Sequence, residues 1–406
     1  MTRQYKDSGI EWIGQIPMDW KMQPLAIYFA ENSKSNSDLG SVNALQFKYG
    51  EIIQKPNNGK ELTDKDRELL EKYTVVSPDD IVVNGLNLNY DLKSLRIAKV
   101  REDGIITSAY IVLRPRNGAN ASFYNYYLKA LDFQKIFHGM GVGIRLTLSY
   151  NELRSMLLAV PSLEEQQRIA DYLDKKCTEI DGLIELQEQM IAQLTDYKQS
   201  VITEAVTKGL NNKNKLVPSG IDWIEEIPEG WMVCRIKDLV NLQSGTNLTT
   251  MEISDNGTYP VYGGNGLRGY YEEYSNDGEY ILIGRQGALC GNINYASGKF
   301  WATEHAVVCY PKREFAKKWL GELLRTMNLG QYSLSAAQPG LSVERIKNLK
   351  MPLPSLSEQQ IIASYLDSKC SEIDNLIAVK QQKIEMLKEY KKSLIFECVT
   401  GKKEIN

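Results

Sequence analysis

The sequence predicts a mixed α/β (α+β) fold: two globular modules joined by two long helices that pair as an antiparallel coiled coil, with an internal pseudo-two-fold repeat. Three observations lead there. Long segments of the 406 residues are written twice; the best-matched segments carry helical periodicity without internal proline; and the blocks between them alternate strand-like apolar runs with polar turns. A chain of this length holds more than one core, because single cores rarely grow past roughly 250 residues.

The repeat comes first. Ser8 to Trp20 reads SGIEWIGQIPMDW, and Ser219 to Trp231 reads SGIDWIEEIPEGW. PSLEEQQRIADYLDKKCTEIDGLI, from Pro161 to Ile184, recurs as PSLSEQQIIASYLDSKCSEIDNLI from Pro354 to Ile377. Roughly three quarters of these positions are identical, and the likeness continues through YKQSVITEAVT and YKKSLIFECVT. The order along the chain is therefore an opening motif (1–20), a variable module (21–160), a conserved helix (161–210), a linker with the repeated opening motif (211–231), a second module (232–353) and a second conserved helix (354–406).

Each conserved segment begins with a proline and a capping-box pattern, Ser162 with Glu165 and Ser355 with Glu358, and ends near glycine at Gly209 and Gly401. That spacing predicts helices of about 45 residues, or about 65 Å. Apolar residues recur at four-three spacing: Leu173, Cys177, Ile180, Ile184, Ile191, Leu194, Val201 and Ala205 in the first copy. The second copy supplies Leu366, Cys370, Ile373, Ile377, Ile384, Leu387, Leu394 and Cys398. This is a coiled-coil seam, with polar interruptions Gln187 and Lys198 recurring as Lys380 and Lys391. Two separate amphipathic helices, each packed on its own module, are the competing arrangement. Antiparallel pairing would place the modules at opposite ends of a rod and bring the end of the second helix near the opening motif. A stiff spacer between two modules is what a bipartite duplex site requires, because half-site spacing mirrors protein geometry.

The modules share a skeleton although their sequences differ. Ile81 to Val83 and Tyr280 to Ile283 are strand-like, followed by the polar turns NGLNLN and GRQGALCG. A further strand is expected over Ile106 to Pro115 and over Ala302 to Pro311, then a helical stretch, FYNYYLKALDFQKIF or KKWLGELLRTM, and a Gly-rich turn. Polar and charged side chains on such loops can read base edges. In the first module the candidates are Gln46, Lys48, Asn84, Asn87, Asn89, Lys93, Arg96 and Arg145. In the second they are Tyr262, Gly263, Gly264, Asn265, Arg268, Arg285, Gln286, Lys299, Thr303, Glu304, His305 and Gln338. A loop Asn or Gly also serves turn geometry, and His305 could be a satisfied strand histidine.

Composition bounds the function classes. The hydrophobic fraction of 43% and the charged fraction of 24% fit a water-soluble protein, and the polar opening residues predict a cytoplasmic one without a membrane span. Six cysteines without a C-x-x-C pair, and only His138 and His305 beside them, predict buried thiols and no metal site. No phosphate loop occurs, since Gly298-Lys299 leads into Phe300 and Gly401-Lys402 into Lys403. No Asn-Pro-Pro turn of an amino-methyltransferase is found either, so no catalytic residues are assigned. The formal net charge of −3 does not advertise DNA binding. Either a local basic face is hidden in the average, or partner subunits supply much of the grip.

The doubled PSL-x-EQQ-x-IA-x-YLD-x-KC helix, together with the SGI-[ED]-WI…IP…W motif, resembles the specificity (HsdS) subunits of Type I restriction-modification systems over essentially the whole chain. The resemblance implies that residues 21–160 and 232–353 are target recognition domains, each reading one half of an asymmetric bipartite sequence in double-stranded DNA. It implies that the conserved helices set the spacer, so that adding one turn to a helix changes spacer length and leaves both half-sites intact. It also implies two docked modification (methyltransferase) subunits and up to two restriction subunits, with S-adenosylmethionine, ATP and Mg belonging to those partners and none to this chain. Two other classes compete: a non-enzymatic coiled-coil scaffold with two ligand- or protein-binding modules, and a self-contained methyltransferase or nuclease, against which the missing cofactor motifs weigh.

Overall fold

The computed structural model describes residues 3–48, 50–56, 63–89, 95–143, 146–211, 213–287, 289–333 and 340–405. The chain divides into two compact units: Met1–Gln187 with Gln382–Asn406, and Glu188–Gln381. Each unit thus combines one globular module with parts of both long helices.

In unit 1, β1 (Tyr5–Asp7) and β2 (Gln15–Pro17) form a hairpin of the opening motif. There follow β3 (Lys21–Pro24), the turn α1 (Leu25–Tyr28), β4 (Phe29–Glu31), β5 (Leu45–Lys48), β6 (Glu51–Gln54), α2 (Asp64–Glu71), β7 (Thr74–Val76) and β8 (Ile81–Val83). Then come β9 (Ile97–Lys99), β10 (Gly104–Ile106), β11 (Ile111–Pro115), α3 (Ala121–Phe133), the turn α4 (Tyr150–Leu153), β12 (Leu157–Val160) and the long α5 (Leu163–Lys208). The main sheet has the order β4-β11-β8-β9, all antiparallel, while β5–β6 and β10–β7 form two further pairs linked by a parallel bridge between Ala44 and Ile105.

Unit 2 repeats this plan. It contains β13 (Leu216–Ile221), β14 (Ile224–Pro228), β15 (Met232–Arg235), the turn α6 (Ile236–Leu239), β16 (Val240–Ser244), β17 (Tyr259–Gly263), β18 (Gly266–Tyr271), β19 (Asn276–Asp277) and β20 (Tyr280–Gly284). After these lie β21 (Ile293–Ala296), β22 (Lys299–Ala302), β23 (Ala306–Pro311), α7 (Lys317–Thr326), the turn α8 (Val343–Ile346), β24 (Lys350–Leu353) and α9 (Leu356–Val399). Its sheets run β16-β23-β20-β21 and β18-β17-β22-β19, matching unit 1 strand for strand. Helix α2, between β6 and β7, is the insertion that distinguishes the first module.

Period-two alternation places each main sheet between two cores. In unit 1, Ile81 and Val83 pack toward α3 and the long helices, whereas Val82 faces Leu45 and Ile106. In unit 2, Ile281 and Ile283 pack toward Trp319 and Leu366, whereas Leu282 faces Phe300 and Ala302. One expectation needs correction. Ile106–Pro115 and Ala302–Pro311 are not single strands: each run breaks after its first residue, at a turn closed by Tyr110 N–H to Thr107 O (3.3 Å) and Ala306 N–H to Thr303 O (2.9 Å). The break moves the chain from one sheet to the other, and the apolar flanks hide it.

The conserved EQQ residues fasten module to helix identically in both units. Trp20 Nε1 donates to Glu165 (2.9 Å), and Trp231 Nε1 to Glu358 (3.0 Å). The Asn120 N–H at the start of α3 donates to Gln166 Oε1, and the Ala316 N–H at the start of α7 to Gln359 Oε1, both at 3.1 Å. The expected capping box is therefore only half formed. Ser162 and Ser355 accept from the Glu165 and Glu358 N–H groups, but the carboxylates are taken by the tryptophans, with Arg3 also 2.8 Å from Glu165. Gly209 and Gly401, both in the left-handed region, end the helices. A Cβ on Gly401 would lie 2.5 Å from Pro17, so the end of α9 sits on the opening motif of unit 1.

The long helices run antiparallel within each unit. In unit 1, Asp181 meets Lys391 at 2.7 Å while Leu173, Cys177 and Ile180 share a core with Leu394 and Cys398. In unit 2, Lys198 meets Asp374 at 2.7 Å while Val201 and Ala205 share a core with Leu366 and Cys370. Lys391 is the repeat counterpart of Lys198, and Asp374 of Asp181. Each unit therefore carries the same ion pair, with the roles of the two helices exchanged. Ile373 and Ile384 are buried; Ile184, Ile191, Leu194, Ile377 and Leu387 are half-buried. Gln187 is buried and Lys380 half-buried, so the polar interruptions also face inward.

Candidate nucleic-acid interface

In module 2, four loops converge at one end of the two sheets: those after β16, between β17 and β18, between β20 and β21, and between β22 and β23. Close backbone approach holds them together. A Cβ on Gly284 would lie 2.0 Å from Gly264 O, one on Gly264 2.8 Å from Gln286 O, and one on Gly245 2.1 Å from Ala302 O. These positions admit only glycine without displacement of backbone. Arg285 N–H donates to His305 O (2.8 Å), Thr303 N–H to Tyr262 O (2.9 Å) and Asn292 Nδ2 to Asn265 Oδ1 (3.0 Å). Arg285 Nη1 reaches Ser244 Oγ at 3.2 Å, and Gln286 bridges to Gly340.

Tyr262, Gly263, Gly264, Asn265, Arg268, Arg285, Gln286, Glu304 and His305 are thus brought together. Asn265, Arg268 and Gln286 are exposed there, and Arg268 leans on Thr250 Oγ1 (3.2 Å). His305 Nε2 lies 3.1 Å from Glu304 Oε1 in a half-exposed pair whose remaining polar atoms, His305 Nδ1 and Glu304 Oε2, are buried. Two candidates need correction. Thr303 is fully buried, its role being the turn that closes β22 onto β23. Lys299 stands at the opposite end of β22, with its ammonium 4.6 Å from the Tyr274 ring centroid, and does not join the cluster. Gln338 lies outside the described residues.

In module 1 the loop after β8 carries Asn84, Asn87 and Asn89. Arg96 is the correction here: it is 1% exposed, and its guanidinium donates to the carbonyls of Asn84 (3.1 Å), Leu86 (2.8 Å) and Asn87 (3.5 Å). It shapes the loop from beneath and cannot reach a base. Asn84 Oδ1 accepts from Leu86 N–H (3.2 Å), a turn role, whereas Asn87, at positive φ, and Asn89 are exposed. Gln46 and Lys48 sit on β5, whose partner β6 forms a hairpin equivalent to β17–β18. Lys93 and Arg145 lie outside the described residues. Burial of Asp132, which accepts from the Arg96 backbone N–H at 2.6 Å, holds that carboxyl above the usual range.

A cleft of about 880 Å³ in module 2 was not legible in the sequence. It is lined by Arg285 and Gln286 together with Lys237, Lys312 and Lys347, three lysines scattered along the chain that only the topology gathers. No helix among the described residues is long and apolar enough to cross a membrane.

Residues 97–196 and 228–389, well over half of the chain, match the family described as the Type I restriction modification DNA specificity domain. Over 134 residues the chain is 43% identical to the type I restriction enzyme EcoprrI specificity subunit of Escherichia coli, a match that spans 32% of this chain and only 33% of that relative. Over 363 residues it is 25% identical to the type I restriction enzyme MjaVIII specificity subunit of Methanocaldococcus jannaschii, covering 82% of each. Its fold is similar to that of a chain solved in work on complex assembly and conformational transition of the type I R-M system, with TM-score 0.73, 15% identity and coverage of 95% and 98%. The HsdS subunit from Thermoanaerobacter tengcongensis gives a TM-score of 0.53 at 16% identity, with coverage of 95% and 98%. With two modules of corresponding strand order and both matched regions falling across them, the chain belongs to the Type I restriction modification DNA specificity family.

Proposed function

We propose that this chain selects a bipartite DNA sequence, each module reading one half-site, and carries no catalytic step itself. The observation that supports this most is one sheet framework built twice around divergent loops. Where module 2 has Arg285 and Gln286, module 1 has the buried Gly85 and the exposed Leu86, so these positions offer different groups to a base. Residues 21–160 and 232–353 are the target recognition domains of this reading, with Asn265, Arg268, Gln286, Glu304 and His305 as base-reading groups in the second and Asn87, Asn89, Gln46 and Lys48 in the first.

The helices dock two modification subunits, to which up to two restriction subunits add. S-adenosylmethionine, ATP and Mg belong to those partners. Exposed apolar side chains support two equal docking sites: Leu183, Leu186 and Tyr390 in unit 1, and their repeat counterparts Leu376, Val379 and Tyr197 in unit 2. The chain reconstituted with its modification subunit is expected to methylate adenine within one bipartite motif on genomic DNA. Methylation-sensitive sequencing that finds no such motif would sink this function.

A further inference from the structure

The cleft beside the module 2 loops has four cations among its lining residues, Lys237, Arg285, Lys312 and Lys347, and one carboxylate, Glu344. That carboxylate is 74% exposed and pairs with Lys347 at 2.6 Å. Lys312 Nζ donates to Lys237 O and Lys237 Nζ to Asn348 Oδ1, each at 2.8 Å. Each ammonium has three donors, so these single bonds orient the lysines and leave capacity for an anion.

A second observation comes from the duplicated topology. After β23, Lys312 N–H donates to Leu239 O (2.9 Å); after β11, Arg116 N–H donates to Tyr28 O (2.9 Å). Lys237 N–H donates to Lys347 O (2.9 Å), and at the same place in module 1 Ala26 N–H donates to Arg154 O (3.0 Å). Arg116 and Arg154 therefore hold the backbone positions of Lys312 and Lys347. Both arginines are exposed, and the Arg116 guanidinium donates through Nε to Ile27 O at 3.3 Å. Cations thus persist at two positions in both modules while the neighbouring loops change from Arg285-Gln286 to Gly85-Leu86.

Groups that read bases must differ when half-sites differ, whereas phosphate contacts carry no sequence information and can be shared. We infer that Lys312 and Lys347 in module 2, and Arg116 and Arg154 in module 1, hold phosphodiester groups of duplex DNA along the sheet edge that leads away from the base-reading loops. Lys237 adds a third contact in module 2. The assignment rests on the DNA-reading function above. It also locates a basic face that the net charge of −3 conceals.

The test uses the full chain assembled with its modification subunits, measuring the dissociation constant for duplexes with and without the methylated motif over a range of salt. K312Q/K347Q and R116Q/R154Q are each expected to weaken binding to both duplexes alike and to lower the salt exponent by about 2, with the methylated motif unchanged. K312R/K347R, which keeps the charge, is expected to retain the exponent. Unchanged affinity and exponent in the Gln variants, or a changed base in the motif, overturns the assignment while leaving the function intact. A wild-type complex that binds no duplex overturns both.

Discussion

Arg96 and Arg285 occupy loops of the same framework, yet one guanidinium is buried against three carbonyls and the other opens onto a cleft. Replacing Arg96 with Ala would leave those carbonyls without their charged donor, at a cost of at least about 2 kcal/mol. Thermal unfolding of R96A should show that loss, and wild-type stability would refute the loop-shaping role. Trp20 and Trp231 make the same bond to Glu165 and Glu358, but Trp20 is fully buried and Trp231 only half-buried. W20A should therefore cost about 3 to 5 kcal/mol and W231A measurably less. Equal costs from denaturant titration would contradict the difference in burial. Among the thiols, burial pushes Cys309 and Cys398 each up to about 12. Because the thiolate is the nucleophile, neither should react with Ellman's reagent at pH 8 in the native chain, while all six react in denaturant. Rapid native labelling of Cys309 or Cys398 would count against this packing.

At the scale of elements, the long helices were the most legible part of the chain. Their period, proline-free length and terminal glycines all specify helix, and local and global preferences agree. The strand runs at 106–115 and 302–311 were less legible, because no glycine or proline marks the turns at Thr107 and Thr303. The loop candidates split for a physical reason. An arginine that staples carbonyls and an arginine that faces an open cleft look alike until burial is known, and the cleft lysines at 237, 312 and 347 form no contiguous basic run. The polar seam positions carry their own prediction. Lys198–Asp374 and Lys391–Asp181 are equivalent, partly exposed pairs, with side-chain exposures of 27%/56% and 27%/57%. Double-mutant cycles to Ala should give the two pairs similar coupling, about 0.2 to 1 kcal/mol each and smaller at high salt. A strong coupling in one pair and none in the other would break the equivalence of the two repeats.

At the scale of the whole molecule, one framework is used twice with the long helices common to both, and in the proposed function each copy chooses its own bases. In the proposed function, the shared cations hold DNA and the divergent loops read it. The most direct test exchanges residues 232–353 for the corresponding block of a relative and determines the methylated motif of the reconstituted complex by methylation-sensitive sequencing. A new sequence is expected in one half-site, with the other half-site and the spacer unchanged. A motif altered in both halves, or in neither, would contradict it.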